Sequence, residues 1–348
     1  MKHIVDSFTP SGGNHCVSNS LKQVFDYYGY SLSEQMLFGI ASGLSFVYIN
    51  LANSPMISGR TKVFEFEEKL AKRLNVNIKC KQYKEYDTAF SKTIELLDNN
   101  TPVLVYVDMP YLNYLSLNKN SHFGGHAIVI FGYDKEKEVF YVSDRDNHDY
   151  PIRTPRGNIA KDYHLVSFEE MKQARSSKYR PFPSNNKFLV FNFGTHLEVN
   201  TDIIKYAIND TCKTMLNPGA NLMGINGIKK FKNEIVKWDK FDTRKLKLAG
   251  TTNYFLISKD GGTGGGIFRK MYGEFLLEAN NLLCIKDIED IGKQYIKLSE
   301  QWDSLADILW NLGETGHVNL LKPMSFQIEI LYQIEKSLLE RLYYCIEH

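Results

Sequence analysis

Residues 126–144, HAIVIFGYDKEKEVFYVSD, constrain this chain more than any other stretch. His126–Asp134 and Val139–Asp144 are rich in β-branched and aromatic residues. The polar turn Lys135–Glu136–Lys137 joins them, so the pair predicts two antiparallel strands. In such a hairpin the start of one strand lies opposite the end of the next. The separation of eighteen positions from His126 to Asp144 suits two strands of about nine residues each, near the upper end of common strand length. An imidazole and a carboxylate are therefore expected as neighbours at one end of the hairpin.

On either side the hydrophobic period changes. Val17, Leu21, Val24, Phe25 and Tyr28 recur at helical spacing after Cys16, and Gly29 offers a stop. A second helix is expected to open at Ser31, with Glu34 completing a capping box. Gly39 and Gly43 in its interior imply close packing against another backbone. Phe66, Leu70 and Leu74 mark a third helix, and Phe90, Ile94 and Leu97 a fourth. Val103–Asp108 and Phe188–Phe193 read as further strands, with a short capped helix from Ser167–Glu170 between them. Helices followed by an antiparallel sheet make an α+β layout. From about residue 200 the pattern is mainly helical, interrupted by an expected strand at Tyr254–Ser258. Two domains follow, residues 1–195 and 196–348.

A cysteine is reactive where its thiolate is favoured and partly exposed. SGGNHC places Cys16 at a helix start, where free N–H groups and the helix dipole favour negative charge. A thiolate nucleophile needs a base, and the base an orienting group. His126 and Asp144 fill those roles, and the N–H of Cys16 with Asn14 or Asn19 would bind an oxyanion. Each residue alone also has a plainer reading: a buried thiol, a core histidine, a turn-capping carboxylate. Their joint order favours catalysis.

The other signals are weaker. Five scattered cysteines without a CxxC pair encode neither a disulfide framework nor a zinc knuckle, so free thiols in a reducing cytoplasm are expected. Cys80, Cys212, Cys284 and Cys345 read as packing residues. No metal site is expected: His122 and His126 have the spacing of helix-borne ligands, but Gly124–Gly125 and AIVIF argue for a strand. His122 is a candidate for lining the substrate pocket. Gly261–Gly266 leads to Arg269, so Gly264, Gly265 and Arg269 suit an anion such as a phosphate, although a tight turn needing positive φ is the plainer account. Arg60 suits a carboxylate clamp or, more plainly, an exposed surface. Trp238, Trp302 and Trp310 read as core. A net charge of +2 and the lack of a long apolar run make nucleic acid and membrane poor partners.

The order of Cys at a helix start, His opening a strand and Asp ending the next resembles the papain-like cysteine peptidase superfamily. GHAIVIFGYDKEKEVFYVSDRD is similar to its bacteriocin-processing branch. HCVSNSLKQVFDYYGYSLSEQMLFGIASGLSF, SGR, VDMPYL, HFGGHAIVIFGYD and VSDRD resemble the butirosin biosynthesis protein H family more closely, and GTGGGIFRKMYGEFLLEA resembles its helical companion domain. The resemblance spans essentially the whole chain. It implies a papain-like domain followed by a mainly helical one, and an acyltransferase. Cys16 would take an acyl group from the phosphopantetheine thioester of an acyl carrier protein or peptidyl carrier domain, His126 would shuttle the proton and Asp144 would orient His126. A small-molecule amine would then accept the acyl group. No resident cofactor is implied, because phosphopantetheine arrives on the donor. One departure stands out: superfamily peptidases commonly carry a Gln before the cysteine for the oxyanion, whereas the nearest here, Gln23, follows it. Hydrolysis on the same triad, by a peptidase, amidase or thioesterase, is the competing reading, and a non-catalytic binding module the third.

Overall fold

The computed structural model describes residues 1–51, 54–145, 163–180, 182–194 and 197–347. Along the chain the elements are β1 (Lys2–Ile4), α1 (Cys16–Tyr27), α2 (Glu34–Ile40), β2 (Leu44–Leu51), β3 (Ser54–Arg60), α3 (Glu65–Leu74), β4 (Asn77–Gln82), α4 (Tyr86–Asp98), β5 (Val103–Val107), β6 (His126–Asp134), β7 (Val139–Ser143), β8 (His164–Ser167), α5 (Phe168–Ser176) and β9 (Lys187–Asn192). Six long helices follow: α6 (Thr201–Leu216), α7 (Gly224–Ile235), α8 (Thr243–Ile257), α9 (Arg269–Leu283), α10 (Lys286–Thr315) and α11 (Leu321–Glu347). This is the expected α+β layout, an antiparallel sheet with helices and then a mainly helical part. Among the described residues no helix is long and apolar enough to cross a membrane.

The chain forms two compact units. The first comprises Met1–Leu37 and Asn75–Leu197, the second Phe38–Leu74 and Glu198–His348. The expected boundary at residues 195 and 196 lies outside the described residues. The early excursion of residues 38–74 into the second unit was not anticipated.

In the first unit the sheet runs β4-β9-β5-β6-β7-β8, with β1 also paired to β6, and every pairing is antiparallel. Strand β6 is buried along its whole length, which explains its nearly unbroken apolar run. Helix α1 packs on β6, and its Val17, Leu21, Val24 and Phe25 are fully buried. It ends at Gly29, whose φ of +86° turns the chain out of the helix and lets Tyr30 N–H reach Phe25 O at 2.9 Å. The cap expected for α5 is a capping box: Ser167 Oγ accepts from Glu170 N–H at 3.2 Å, and the Glu170 carboxylate accepts from Ser167 N–H at 2.8 Å.

The second unit holds the two-stranded sheet β2-β3 and the long helices. Two expectations are corrected here. Helix α2 starts at Glu34 and ends at Ile40, so Gly43 lies beyond it in the turn into β2. Gly39 is indeed at a close approach, but to a ring: an added Cβ would lie 2.0 Å from Phe275. Tyr254–Ser258 is no strand; Tyr254 and Ile257 close the buried face that Leu246, Ala249, Gly250 and Asn253 begin on α8. The β-prone side chains of YFLI serve a helix, because tertiary packing overrides local propensity. Trp238 and Trp302 are core residues, whereas Trp310 is only half-buried.

Arg269 and Glu335 form a fully buried ion pair in this unit. Arg269 Nη2–H and Nε–H donate to the two Glu335 oxygens at 2.7 and 3.2 Å, and Nη1–H donates to the carbonyls of Ile267 and Ser45 at 2.8 and 3.2 Å. The guanidinium lies over the rings of Trp302 and Phe46. Removing one partner of such a pair strands a buried charge. Arg269→Met is expected to cost about 3–5 kcal/mol, whereas Arg269→Met with Glu335→Leu recovers most of it. Urea unfolding of both variants tests this; equal losses would show that the pairing is not what stabilises the site.

Candidate active site

Cys16 is the first residue of α1, and His15 is its N-cap. The segment before it is held by a carboxylate from α2. Glu34 Oε2 accepts from the N–H of Asn14 (2.7 Å) and from Asn14 Nδ2 (3.2 Å), while Oε1 accepts from the N–H of His15 (3.1 Å) and from Ser18 Oγ (3.0 Å). Glu34 is thus not the partner of Ser31 in a capping box. It satisfies donors ahead of α1 and fixes the turn that presents the cysteine. Burial pushes its carboxyl pKa up, only partly offset by the N–H groups of Asn14 and His15 and the side chains of Ser18 and Asn14.

His126 begins β6 and pairs across the ladder with Val107 of β5. Val129 pairs with Ser143 of β7. Asp144, one residue on, therefore comes level with Ile128 and shares a face with His126. The hairpin inference holds in this diagonal form: His126 Nε2–H donates to Asp144 Oδ2 at 2.7 Å. Tyr114 Oη–H donates to the same oxygen at 2.8 Å, and Arg145 N–H to Oδ1 at 2.6 Å. With Nε2 given to Asp144, Nδ1 is the ring nitrogen left to serve Cys16, and the two groups shift each other's ionisation. Cys16 and the hydrogen-bonded pair His126–Asp144 are all buried, with the thiol residue still 8% exposed.

The electrostatics follow from that arrangement. Burial pushes the Cys16 thiol up. The pull of His15, the hydrogen bond and charge of His126 and the hydrogen bond of His15 outweigh it, holding the thiol well below its ordinary value. Burial likewise pushes His126 down, but the charge and hydrogen bond of Asp144, with those of Cys16, raise it to about 10. Asp144, despite burial, is held well below the usual carboxylate range by His126, Tyr114 and Arg145. Both shifts favour a thiolate and an imidazolium over the neutral pair.

The remaining candidates are placed elsewhere. The side-chain N–H groups of both proposed oxyanion amides point at other acceptors: Asn14 Nδ2 at Glu34, and Asn19 Nδ2 at Ser11 O (3.0 Å). His122 forms a second imidazole–carboxylate pair, with Nδ1 2.8 Å from Asp108 Oδ2 and its ring stacked on Tyr179 at 3.4 Å. Asp108 is fully buried and also accepts from Phe123 N–H and Ser177 Oγ. Arg60, Gly264, Gly265 and Arg269 belong to the second unit. Arg60 is half-buried and donates to Thr61 O. Arg269 is committed to Glu335 rather than to a phosphate. Gly264 and Gly265 have φ of +71° and +110°, and Gly265 N–H donates to Thr263 Oγ1 at 3.2 Å, so the tight-turn account describes this loop. Of the other cysteines only Cys212 is buried. Cys80 and Cys284 are exposed, which corrects their reading as packing residues.

Residues 15–145 match the family described as butirosin biosynthesis protein H, N-terminal. Residues 169–342 match a domain of unknown function, DUF4872, which spans half of the chain. The chain belongs to the butirosin biosynthesis protein H-like family. Among curated proteins nothing matches it. Cys16, His126 and Asp144 all lie within the segment matching the family's N-terminal part, which begins at His15 and ends at Arg145. His15, Glu34, Tyr114 and Arg145 were missed as site residues in the sequence. The one available signal was position, since His15 precedes the nucleophile and Arg145 follows the orienting acid.

Proposed function

We propose that this chain is a cytoplasmic, cysteine-dependent acyltransferase. It moves an acyl group from the phosphopantetheine thioester of an acyl carrier protein or peptidyl carrier domain to a small-molecule amine, in the assembly of a specialised metabolite. The single observation that carries this reading is the buried grouping of Cys16, at the start of α1, with the hydrogen-bonded pair His126–Asp144. Membership of a family named for butirosin biosynthesis supports the metabolic setting.

The Cys16 thiolate attacks the thioester carbonyl, forming a C–S bond while the carbonyl pair moves to oxygen. Collapse breaks the bond to the donor sulfur, and His126 gives that sulfur its proton. The charge of Cys16 is one of the causes that raise His126. Once the thiolate is acylated that cause is gone, and the neutral imidazole becomes a base. The amine then attacks acyl-Cys16, His126 removes its proton, and the amide leaves as the thiolate is restored. No resident cofactor enters these steps.

Hydrolysis would use the same residues with water as acceptor. The two are separated by product partition. With a short acyl-pantetheine thioester, added aminoglycoside-type amines are expected to divert most of the acyl group from free acid to amide. Free acid in excess under every amine tried would make the chain a hydrolase.

A further inference from the structure

The chemistry above places negative charge on the carbonyl oxygen, and neither asparagine amide is aimed to receive it. The ring of His15 is buried, only 4% exposed, and directly precedes the nucleophile. Ser18 N–H donates to His15 Nδ1 at 3.3 Å, the capping bond of α1. The Ser18 hydroxyl is 3.0 Å from Glu34 Oε1, which takes its hydrogen. Nδ1 faces Ser18, 3.3 Å from its N–H and 3.2 Å from its hydroxyl oxygen, so Nε2 is the ring nitrogen whose proton is turned away from Ser18. Glu34 holds the His15 backbone at the same time. The His15 ring also acts on the neighbouring Cys16 thiol, helping to hold it below its ordinary value.

We infer that His15 Nε2–H, together with the N–H of Cys16 at the first position of α1, forms an oxyanion-binding site for the carbonyl oxygen of an acyl thioester. The inference rests on the proposed thioester chemistry and supplies the donor that a preceding Gln provides in the superfamily. As the C–S bond forms, charge passes from sulfur to oxygen. The Nε2–H bond passes with it, from the thiolate to the oxyanion beside it. When the intermediate collapses, the pair returns to the carbonyl and the donor sulfur leaves. The Cys16 N–H opens the helix, where no preceding turn supplies a carbonyl for it, and is the second donor of the site.

The test compares two reactions of the same sulfur in the full-length chain. Thioester exchange with an acyl-pantetheine builds an oxyanion; alkylation by iodoacetamide does not. His15→Asn keeps a good N-cap for Ser18 N–H but lacks the Nε2 donor. At a pH where alkylation has reached its plateau, its alkylation rate is expected to stay within about threefold of wild type, while acyl-Cys16 formation followed by intact mass falls about 10²–10³-fold. His15→Gln, whose longer amide restores an N–H donor, is expected to recover part of the loss. Should His15→Asn unfold, the same ratio of rates in His15→Gln against His15→Leu decides. Equal falls in acylation and alkylation, or Gln behaving as Leu does, would overturn the inference while leaving the triad intact. Acylation of Cys16→Ala at the wild-type rate would instead overturn the proposed function.

Discussion

Cys16→Ser is expected to lose essentially all acyl turnover, by on the order of 10⁴-fold or more, while keeping the unfolding midpoint of the wild type. The substitution exchanges one small buried atom for another, so packing changes little. What it removes is ionisation. A hydroxyl in this place does not become an anion beside His126, whereas the thiol is held well below its ordinary value by His15 and His126 against the opposing effect of burial. The measurement is steady-state release of pantetheine thiol from an acyl thioester. A serine variant retaining a tenth of wild-type turnover would show that Cys16 is not the nucleophile.

Asp144→Asn is the second large effect, on the order of 10⁴-fold in turnover. Arg145 N–H donates to Oδ1, so the asparagine carbonyl is drawn there and its amide nitrogen faces His126 Nε2. That arrangement forces the ring proton onto Nδ1, the nitrogen needed to accept a proton. It also removes the charge that most raises His126 from its ordinary value to about 10. The sign on Cys16 follows. With a less basic His126 the imidazolium is lost at lower pH, the thiolate loses its partner and the thiol rises. In wild type, alkylation by iodoacetamide should have its midpoint well below the roughly 8.5 of an ordinary thiol. In Asp144→Asn the midpoint should move up toward or past that value. Coincident profiles would mean that Asp144 does not govern the pair.

The parts of the site that local patterning determines were legible in the sequence. Strand period and turn length bring His126 and Asp144 together, and helix period with a glycine stop places Cys16 at a helix start. The α+β layout follows from the same change of period. What was not legible depends on partners far apart in the chain. Glu34 has the spacing of a capping-box residue, yet its carboxylate serves the N–H groups of Asn14 and His15. Nothing in a one-dimensional period reveals that. Residues 38–74 look like a continuation of the N-terminal helices, but the β2-β3 hairpin has its own ladder in the second unit. The glycine run before α9 suggests an anion cradle until Arg269 is seen to have an acid partner 66 residues away in sequence. Asn14 and Asn19 were attractive oxyanion donors by nearness to Cys16, and their hydrogen bonds to Glu34 and Ser11 O show why nearness is insufficient.

The account turns on a covalent intermediate, and intact mass spectrometry sees it directly. Wild-type chain mixed with an acyl-pantetheine thioester and quenched in acid is expected to gain the mass of one acyl group, mapped to Cys16. A chase with an amine acceptor should discharge it as the amide. Cys16→Ala should gain nothing. An equal adduct on wild type and Cys16→Ala, with equal turnover, would contradict the central claim.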